Sequence, residues 1–183
     1  ELVPGGNAIG VKLNTKGVLV VAVTDVIDTK GQRFSPAKEA GLKVGDSIIE
    51  INGVKVLDAE HVVSILNEVK DRKIEIVVQR NKTEFTTEVT PIKSIQDNCY
   101  RLGVWVRDKT SGIGTLTYYD QDTYDFGALG HGIVDTDTGD LLSVEKGKIM
   151  NAKISKIEQG KKGTPGEIRG VFYETNNSLG DIL

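Results

Sequence analysis

The chain has few of the side chains that cross-link or metallate small proteins: its 183 residues include one cysteine, Cys99, and two histidines, His61 and His131. A single cysteine cannot form an internal disulfide. The three residues also fall short of the four Cys or His ligands of a structural zinc site, which would need carboxylates or a second chain. We therefore predict no metal site and no cofactor, and we exclude a disulfide-rich scaffold.

The chain also lacks an excess of positive charge and a long apolar run. It has 23 Lys and Arg against 26 Asp and Glu, a formal charge of -3. Without a basic surplus, binding to nucleic acid is not expected. No apolar stretch approaches the roughly 20 residues that span a bilayer, and Glu1 does not begin a signal sequence. We expect any anchor or targeting segment to lie outside this chain.

What the chain does have is enough apolar residues for a core and an uneven spread of glycine. Hydrophobic residues make up 38% and charged residues 27%, a composition typical of folded proteins. Eight of the 21 glycines precede residue 100 and 13 follow it. This shift, with a polar stretch after Pro91, indicates two modules, residues 1–93 and 94–183.

The first module has the pattern of a small α+β domain. The β-branched run at 18–23 predicts a central strand. Ser35 begins a predicted short helix, which Gly41 ends. From Asp58 to Lys70, apolar residues recur at i, i+3, i+4 and i+7, which predicts an amphipathic helix capped by Asp58. Further strands are predicted at 47–51, 74–79 and 85–90.

Residues 35–53 read Ser-Pro-Ala-Lys-Glu-Ala-Gly-Leu-Lys-Val-Gly-Asp-Ser-Ile-Ile-Glu-Ile-Asn-Gly and resemble the central signature of bacterial PDZ domains. The resemblance implies a groove that binds a peptide terminus through a loop and a sheet edge. Ile9, Gly10 and Val11 resemble that carboxylate-binding loop, and Gly10 lets an anion approach the backbone. Alone, these three residues also fit an ordinary turn. His61 fits a groove-facing or a solvated role, of which the solvated one is favoured.

The second module is predicted to be mostly β, with short strands at 101–108 and 111–119 entered through glycines. His131 stands between Gly130 and Gly132, which lets backbone crowd close to the imidazole while the ring stays accessible. Its ordinary pKa of about 6.5 suits a general base near neutral pH. A histidine between glycines is also compatible with a loop residue whose hydrogen bonds are satisfied.

Three other features of the sequence are candidates for a functional site besides His131. The acidic run at 135–140 fails the EF-hand register, because its sixth position is Asp140 rather than glycine, and it predicts a turn with exposed acids. Ser111 lies outside any Gly-x-Ser-x-Gly elbow and is expected in a structural turn. Cys99 is expected to be a free, partly buried thiol.

The segments Gly-Ile-Gly-Thr-Leu-Thr at 112–117, Gly-Ala-Leu-Gly-His at 127–131 and Asp-Thr-Asp-Thr at 135–138 resemble the stage IV sporulation protein B peptidases, serine endopeptidases of endospore-forming bacteria. That family carries a PDZ domain directly before its peptidase domain. The resemblance implies that residues 94–183 are the N-terminal part of a trypsin-like β-barrel peptidase domain, with His131 as its general base. The family's nucleophilic serine and acidic partner lie beyond this stretch, so we expect the chain to be an inactive fragment.

The resemblance also implies a role in signalling. The parent protein would cleave a regulator of a membrane-embedded protease, in the space between the two forespore membranes, and so release a late sigma factor. The PDZ groove would take a peptide or protein substrate, its own N-terminal region or a membrane-bound regulatory protein. The alternative is a non-enzymatic PDZ adaptor with a β extension. Unpaired strand edges also allow a homo-oligomer of this chain.

Overall fold

The computed structural model describes residues 1–129, 133–139, 141–172 and 178–182. The chain divides into two compact units. The helical unit comprises Thr15–Asp108 and Val134–Ser143, and the strand unit comprises Glu1–Asn14, Lys109–Ile133 and Val144–Leu183. These units do not coincide with the predicted ranges 1–93 and 94–183. Each unit is assembled from segments that are separated in the sequence. The position of a segment along the chain therefore does not reveal which unit it joins.

The described elements have the following bounds. The helices are α1 Pro36–Glu39 and α2 Ala59–Val69. The strands are β1 Leu2–Pro4, β2 Ala8–Val23, β3 Val26–Ile27, β4 Arg33–Phe34, β5 Ser47–Ile51, β6 Val54–Lys55, β7 Ile74–Arg80, β8 Thr83–Val89, β9 Ile92–Lys93, β10 Tyr100–Arg101, β11 Val104–Asp120, β12 Phe126–Leu129, β13 Val144–Glu158, β14 Glu167–Phe172 and β15 Ser178–Ile182.

The helical unit is built on an antiparallel sheet in which β2, β5, β7 and β8 are successive neighbours. The β7–β8 hairpin turns at Asn81 and Lys82, which both have positive φ, as a two-residue hairpin turn requires. Alternate residues of β7 point into the core, where each is at most 1% exposed. The core side chains of this unit include Val18, Val20, Ile48, Ile51, Val56, Val62, Leu66, Ile74, Ile76, Val78 and Leu102.

Helix α2 closes one side of this core, as its apolar period predicts. Val62 and Leu66 are its buried residues. The Asp58 carboxylate accepts a hydrogen bond of 2.8 Å from the backbone N–H of His61, which confirms Asp58 as the N-cap. The helix ends at Lys70, whose φ of 60° breaks the helical conformation.

A buried ion pair fixes the segment around the Gly-Asp dipeptide of the signature. The fully buried Asp46 carboxylate accepts two hydrogen bonds from Arg80, at 2.6 and 2.8 Å, and one from the backbone N–H of Lys43. The hydrogen bond to Asp46 raises the pKa of Arg80, against the opposing effect of burial. The Arg80 guanidinium also lies 4.9 Å from the Phe85 ring centroid, which adds a cation–π contact.

The strand unit is made of longer strands than the glycine pattern predicts. β11 runs unbroken through Gly112 and Gly114, and β13 spans 15 residues. Within this unit β11 pairs with β1 and β12, and β13 pairs with β14 and β15, all antiparallel. Some glycines here serve close packing: a Cβ on Gly170 would lie 2.5 Å from the Ile113 side chain. The prediction of short strands divided by glycine turns is therefore wrong for β11.

The predicted fold class, an α+β PDZ domain followed by a mostly β segment, is confirmed. The trypsin-like β-barrel to which the second segment would belong stays a prediction. Within the described ranges, no helix combines the length and the apolar character needed to cross a membrane.

Candidate functional site

In the helical unit, residues 100–108 lie alongside helix α2 and run in the opposite direction to it. The backbone N–H of Tyr100 donates to the Asn67 side chain near the end of the helix, at 3.1 Å. The Asp108 carboxylate accepts from the backbone N–H of Ala59 at the start of the helix, at 2.9 Å. Eight helical residues rise about 12 Å, whereas eight extended residues span about 26 Å. The chain between the two contacts must therefore turn and bow along the helix.

An apolar strip separates these two contacts. Val104 and Val106 of β11 and Ile65 and Val69 of α2 all pack against the same core, and all four side chains are only partly buried. Trp105, between the two valines, faces away and is 68% exposed. A strand edge and a helix with apolar side chains between them are the two walls that a peptide-binding groove of the PDZ kind requires.

Backbone hydrogen bonds hold the turn that Leu102 and Gly103 form directly before β11. The Leu102 carbonyl accepts from the N–H of Ala37 at 2.9 Å, and the Gly103 carbonyl accepts from the N–H of Thr24 at 2.8 Å. Gly103 has a φ of +78°, and a Cβ there would overlap with the Thr24 carbonyl oxygen. Among the described contacts, the N–H groups of Leu102 and Gly103 take no part.

Ile9, Gly10 and Val11 lie elsewhere, inside strand β2 of the strand unit. Ile9 is 1% exposed, and a Cβ on Gly10 would lie 2.7 Å from the Phe172 ring. Gly10 thus serves the approach of an aromatic side chain. These three residues lie in a strand rather than in a loop, and their part in peptide binding stays a prediction. Sequence reasoning missed Leu102-Gly103-Val104, which repeats the same apolar-glycine-valine pattern.

His61 lies in the first turn of α2 and is partly buried. Its ring Nδ1 accepts a 3.3 Å hydrogen bond from the backbone N–H of Leu57. The imidazole is thus tied to the chain that enters the helix, which differs from a freely solvated side chain.

The predicted general base, His131, lies outside the described residues, as do Gly130, Gly132 and Asp140. Ser111 lies within strand β11 rather than in a turn. Cys99 is a free, partly buried thiol, as expected. Among the residues that the structure describes, no three His, Cys, Asp or Glu side chains are grouped so that they could hold a metal ion.

Four residues beyond His131, the predicted acidic turn is present and Asp137 is exposed, but Asp135 is buried, which corrects the prediction for that acid. Asp135 is 1% exposed and pairs with Arg107, which also holds Asp137 at 2.5 Å. The Asp135 carboxylate accepts backbone N–H bonds of 2.9 Å from Asp137 and Thr138. Burial alone would raise the pKa of Asp135. The two backbone hydrogen bonds and the Arg107 charge outweigh it, so this pKa lies below its usual value.

Comparison with known proteins agrees with the two modules. Residues 98–183 match the model of the SpoIVB peptidase S55 family, and residues 27–80 match a PDZ domain model. A protein of Lactococcus lactis described as a zinc metalloprotease, LL2128, is 35% identical over 86 residues, which is 47% of this chain and 20% of that protein. The zinc metalloprotease RasP of Bacillus licheniformis is 31% identical over 84 residues, 45% of this chain and 20% of RasP.

These zinc metalloprotease matches fall in the PDZ region. The chain spans about a fifth of the length of these two curated relatives. Among solved structures, the PDZ domain of the SdrC-like protein of Listeria monocytogenes has a TM-score of 0.41 and 18% identity, covering 50% of this chain and 87% of that one. The two family-model matches agree with the family and the domain order predicted from the sequence. The chain combines a PDZ domain with a segment of the SpoIVB peptidase S55 family.

Proposed function

We propose that this chain is the peptide-recognition part and the histidine-bearing part of a serine endopeptidase of the sporulation signalling type. The family match over residues 98–183 supports a peptidase in the parent protein. His131 is its general base, which takes the proton of a serine hydroxyl supplied by another stretch of polypeptide. By the family resemblance that serine belongs to a separate stretch of polypeptide, and the proposal is therefore that activity requires both parts.

The peptide site is the strip between α2 and residues 102–108. The observation that carries this assignment is the opposed course of residues 100–108 along α2, fixed at Asn67 and at Asp108. A peptide terminus is held by the N–H groups of Leu102 and Gly103, and its side chains contact the valines of β11. Backbone hydrogen bonding supplies the affinity and the apolar strip supplies the selectivity.

Binding to this site is tested on the chain itself with fluorescently labelled peptides that end in an apolar residue. Each peptide is made with a free carboxylate and as the amide. We expect Val106→Glu to remove binding, while Trp105→Ala on the opposite face of the same strand retains it. Equal affinity for acid and amide would overturn the role of the loop. Equal binding by Val106→Glu and the unmodified chain, both folded by circular dichroism, would overturn the groove.

The enzymatic part is tested in the full-length parent protein. We expect His131→Ala to abolish self-cleavage and His61→Ala to leave it unchanged. Retained self-cleavage in the His131 variant would favour the non-enzymatic adaptor for this module.

The cellular role rests on the family resemblance. The parent cleaves a regulator of a membrane-embedded protease between the two forespore membranes and so releases a late sigma factor. The PDZ groove takes the membrane-bound regulator or the protein's own N-terminal region. A late sigma-factor reporter that still fires with His131→Ala as the sole copy would contradict this role.

A further inference from the structure

A concave site in the strand unit, with a cavity of about 410 Å³, is lined by an unusual number of lysines. Lys12, Lys109, Lys146 and Lys148 all face it, together with Asn14. One carboxylate, that of Asp181, is also present. We call these residues the lysine cavity. It belongs neither to the peptide groove nor to the His131 segment.

The fold explains why the lysines converge. Strand β2 has β11 and β13 as neighbours, and β13 also pairs with β15. Lys146 and Lys148 are two apart on β13 and so share a face, about 7 Å from one another along the strand. Lys148 stands opposite Asp181 in the ladder. Four neighbouring strands thus contribute to one polar face.

The opposite face of the same strands is buried. Leu13, between Lys12 and Asn14, is 7% exposed, and Ile149, next to Lys148, is 2% exposed. Because successive side chains of a strand point to opposite faces, the lysine side chains of these strands point outward. Because the buried side anchors these strands, the cationic groups stand on a rigid platform rather than on a loop.

Three of the four lysines of the lysine cavity have no charged partner among the residues that the structure describes. Within the part of the chain that the structure describes, Lys109, Lys146 and Lys148 make no side-chain hydrogen bond or ion pair. These three ammonium groups share the cavity with one carboxylate, that of Asp181, in a chain whose overall charge is -3. Gathering like charges into a concavity is unfavourable, and an anion bound among them removes that repulsion.

We propose that the lysine cavity binds a phosphate-bearing anion with at least two negative charges. Lysine is a compact point charge with three donors, suited to the several oxygens of a phosphate. The volume falls within the roughly 300–1,000 Å³ of small-molecule sites. Ile182 is the hydrophobic residue of this lining, and the aliphatic stems of the lysines add further apolar surface. Asn14 adds an amide that can donate to a phosphate oxygen.

The test uses this chain with two probes, inorganic pyrophosphate in solution and vesicles with or without phosphatidylglycerol. Backbone amide shifts are followed by NMR for the first and co-sedimentation for the second. We expect saturable, salt-sensitive binding. Each single change of Lys109, Lys146 or Lys148 to Ala should weaken it about fivefold, as for a charge pair at a solvated surface.

The double variant Lys146→Glu with Lys148→Glu should abolish binding. The matched control is Lys153→Glu, an exposed lysine on the same strand that does not line the cavity. Loss in the double variant and retention in the control supports the proposal, and the responding probe identifies a free phosphate or a lipid headgroup as the source. No response to either probe, or equal weakening by Lys153→Glu, would overturn it.

Discussion

Replacing Arg107 by Gln should destabilise the helical unit, because it removes the cationic partner of a carboxylate that is 1% exposed. Loss of one partner from a fully buried pair costs about 3–5 kcal/mol. Here the cost is smaller, since the Arg107 side chain is 32% exposed and Asp135 keeps two backbone hydrogen bonds. We expect a loss of about 2–3 kcal/mol in the free energy of unfolding at neutral pH.

The pH dependence of this loss separates the ion pair from simple packing. The pKa of Asp135 is lowered in the folded state, so its stabilisation is complete above the unfolded value of about 3.9. It disappears as the pH falls through the folded pKa. The difference between the unmodified chain and Arg107→Gln should therefore be largest near pH 7 and shrink in strong acid.

Urea unfolding followed by circular dichroism measures this difference at each pH. The control is Arg101→Gln, because Arg101 pairs with Asp97 where both side chains are more than a third exposed. Its cost should stay below about 1 kcal/mol. A loss for Arg107→Gln no larger than for the control, or one that persists unchanged in strong acid, would refute the buried-pair argument.

Three further changes have defined outcomes. Asp58→Ala removes the bond to the His61 N–H and should cost about 1 kcal/mol, measured as a shift of the urea midpoint. Gly103→Ala places a side chain at a residue with positive φ, against the Thr24 carbonyl. It should lower the free energy of unfolding by at least about 2 kcal/mol and weaken or abolish peptide binding in the fluorescence assay. Ile9→Ala empties a buried site and should cost about 2–5 kcal/mol by thermal unfolding, without acting on the peptide groove. Unchanged stability in any of the three would contradict the corresponding contact.

Local signals predicted the helical unit well. The helix that starts after Ser35, its end at Gly41 and the cap at Asp58 were all readable, because each depends on residues close in sequence. The nineteen-residue PDZ signature worked for the same reason. The second module was readable only as a family resemblance, since its pairings join distant segments.

The carboxylate-binding loop shows where such reasoning stops. Ile9-Gly10-Val11 and Leu102-Gly103-Val104 carry the same pattern, but the first lies inside strand β2 and the second begins in the turn before β11, a difference that the pattern itself does not show. The burial of Asp135 could not be predicted from the sequence, for a related reason. Its partner Arg107 is 28 residues earlier in the chain, so nothing adjacent indicates that the acid is paired.

Trp105 gives the groove strand an optical consequence. It is the sole tryptophan of the chain, and it projects outward between the two valines that line the apolar strip. Tryptophan fluorescence therefore reports on this strand alone, and no dye label is needed. Collisional quenchers reach the ring freely, so any event that shields it will register directly as a change in quenching.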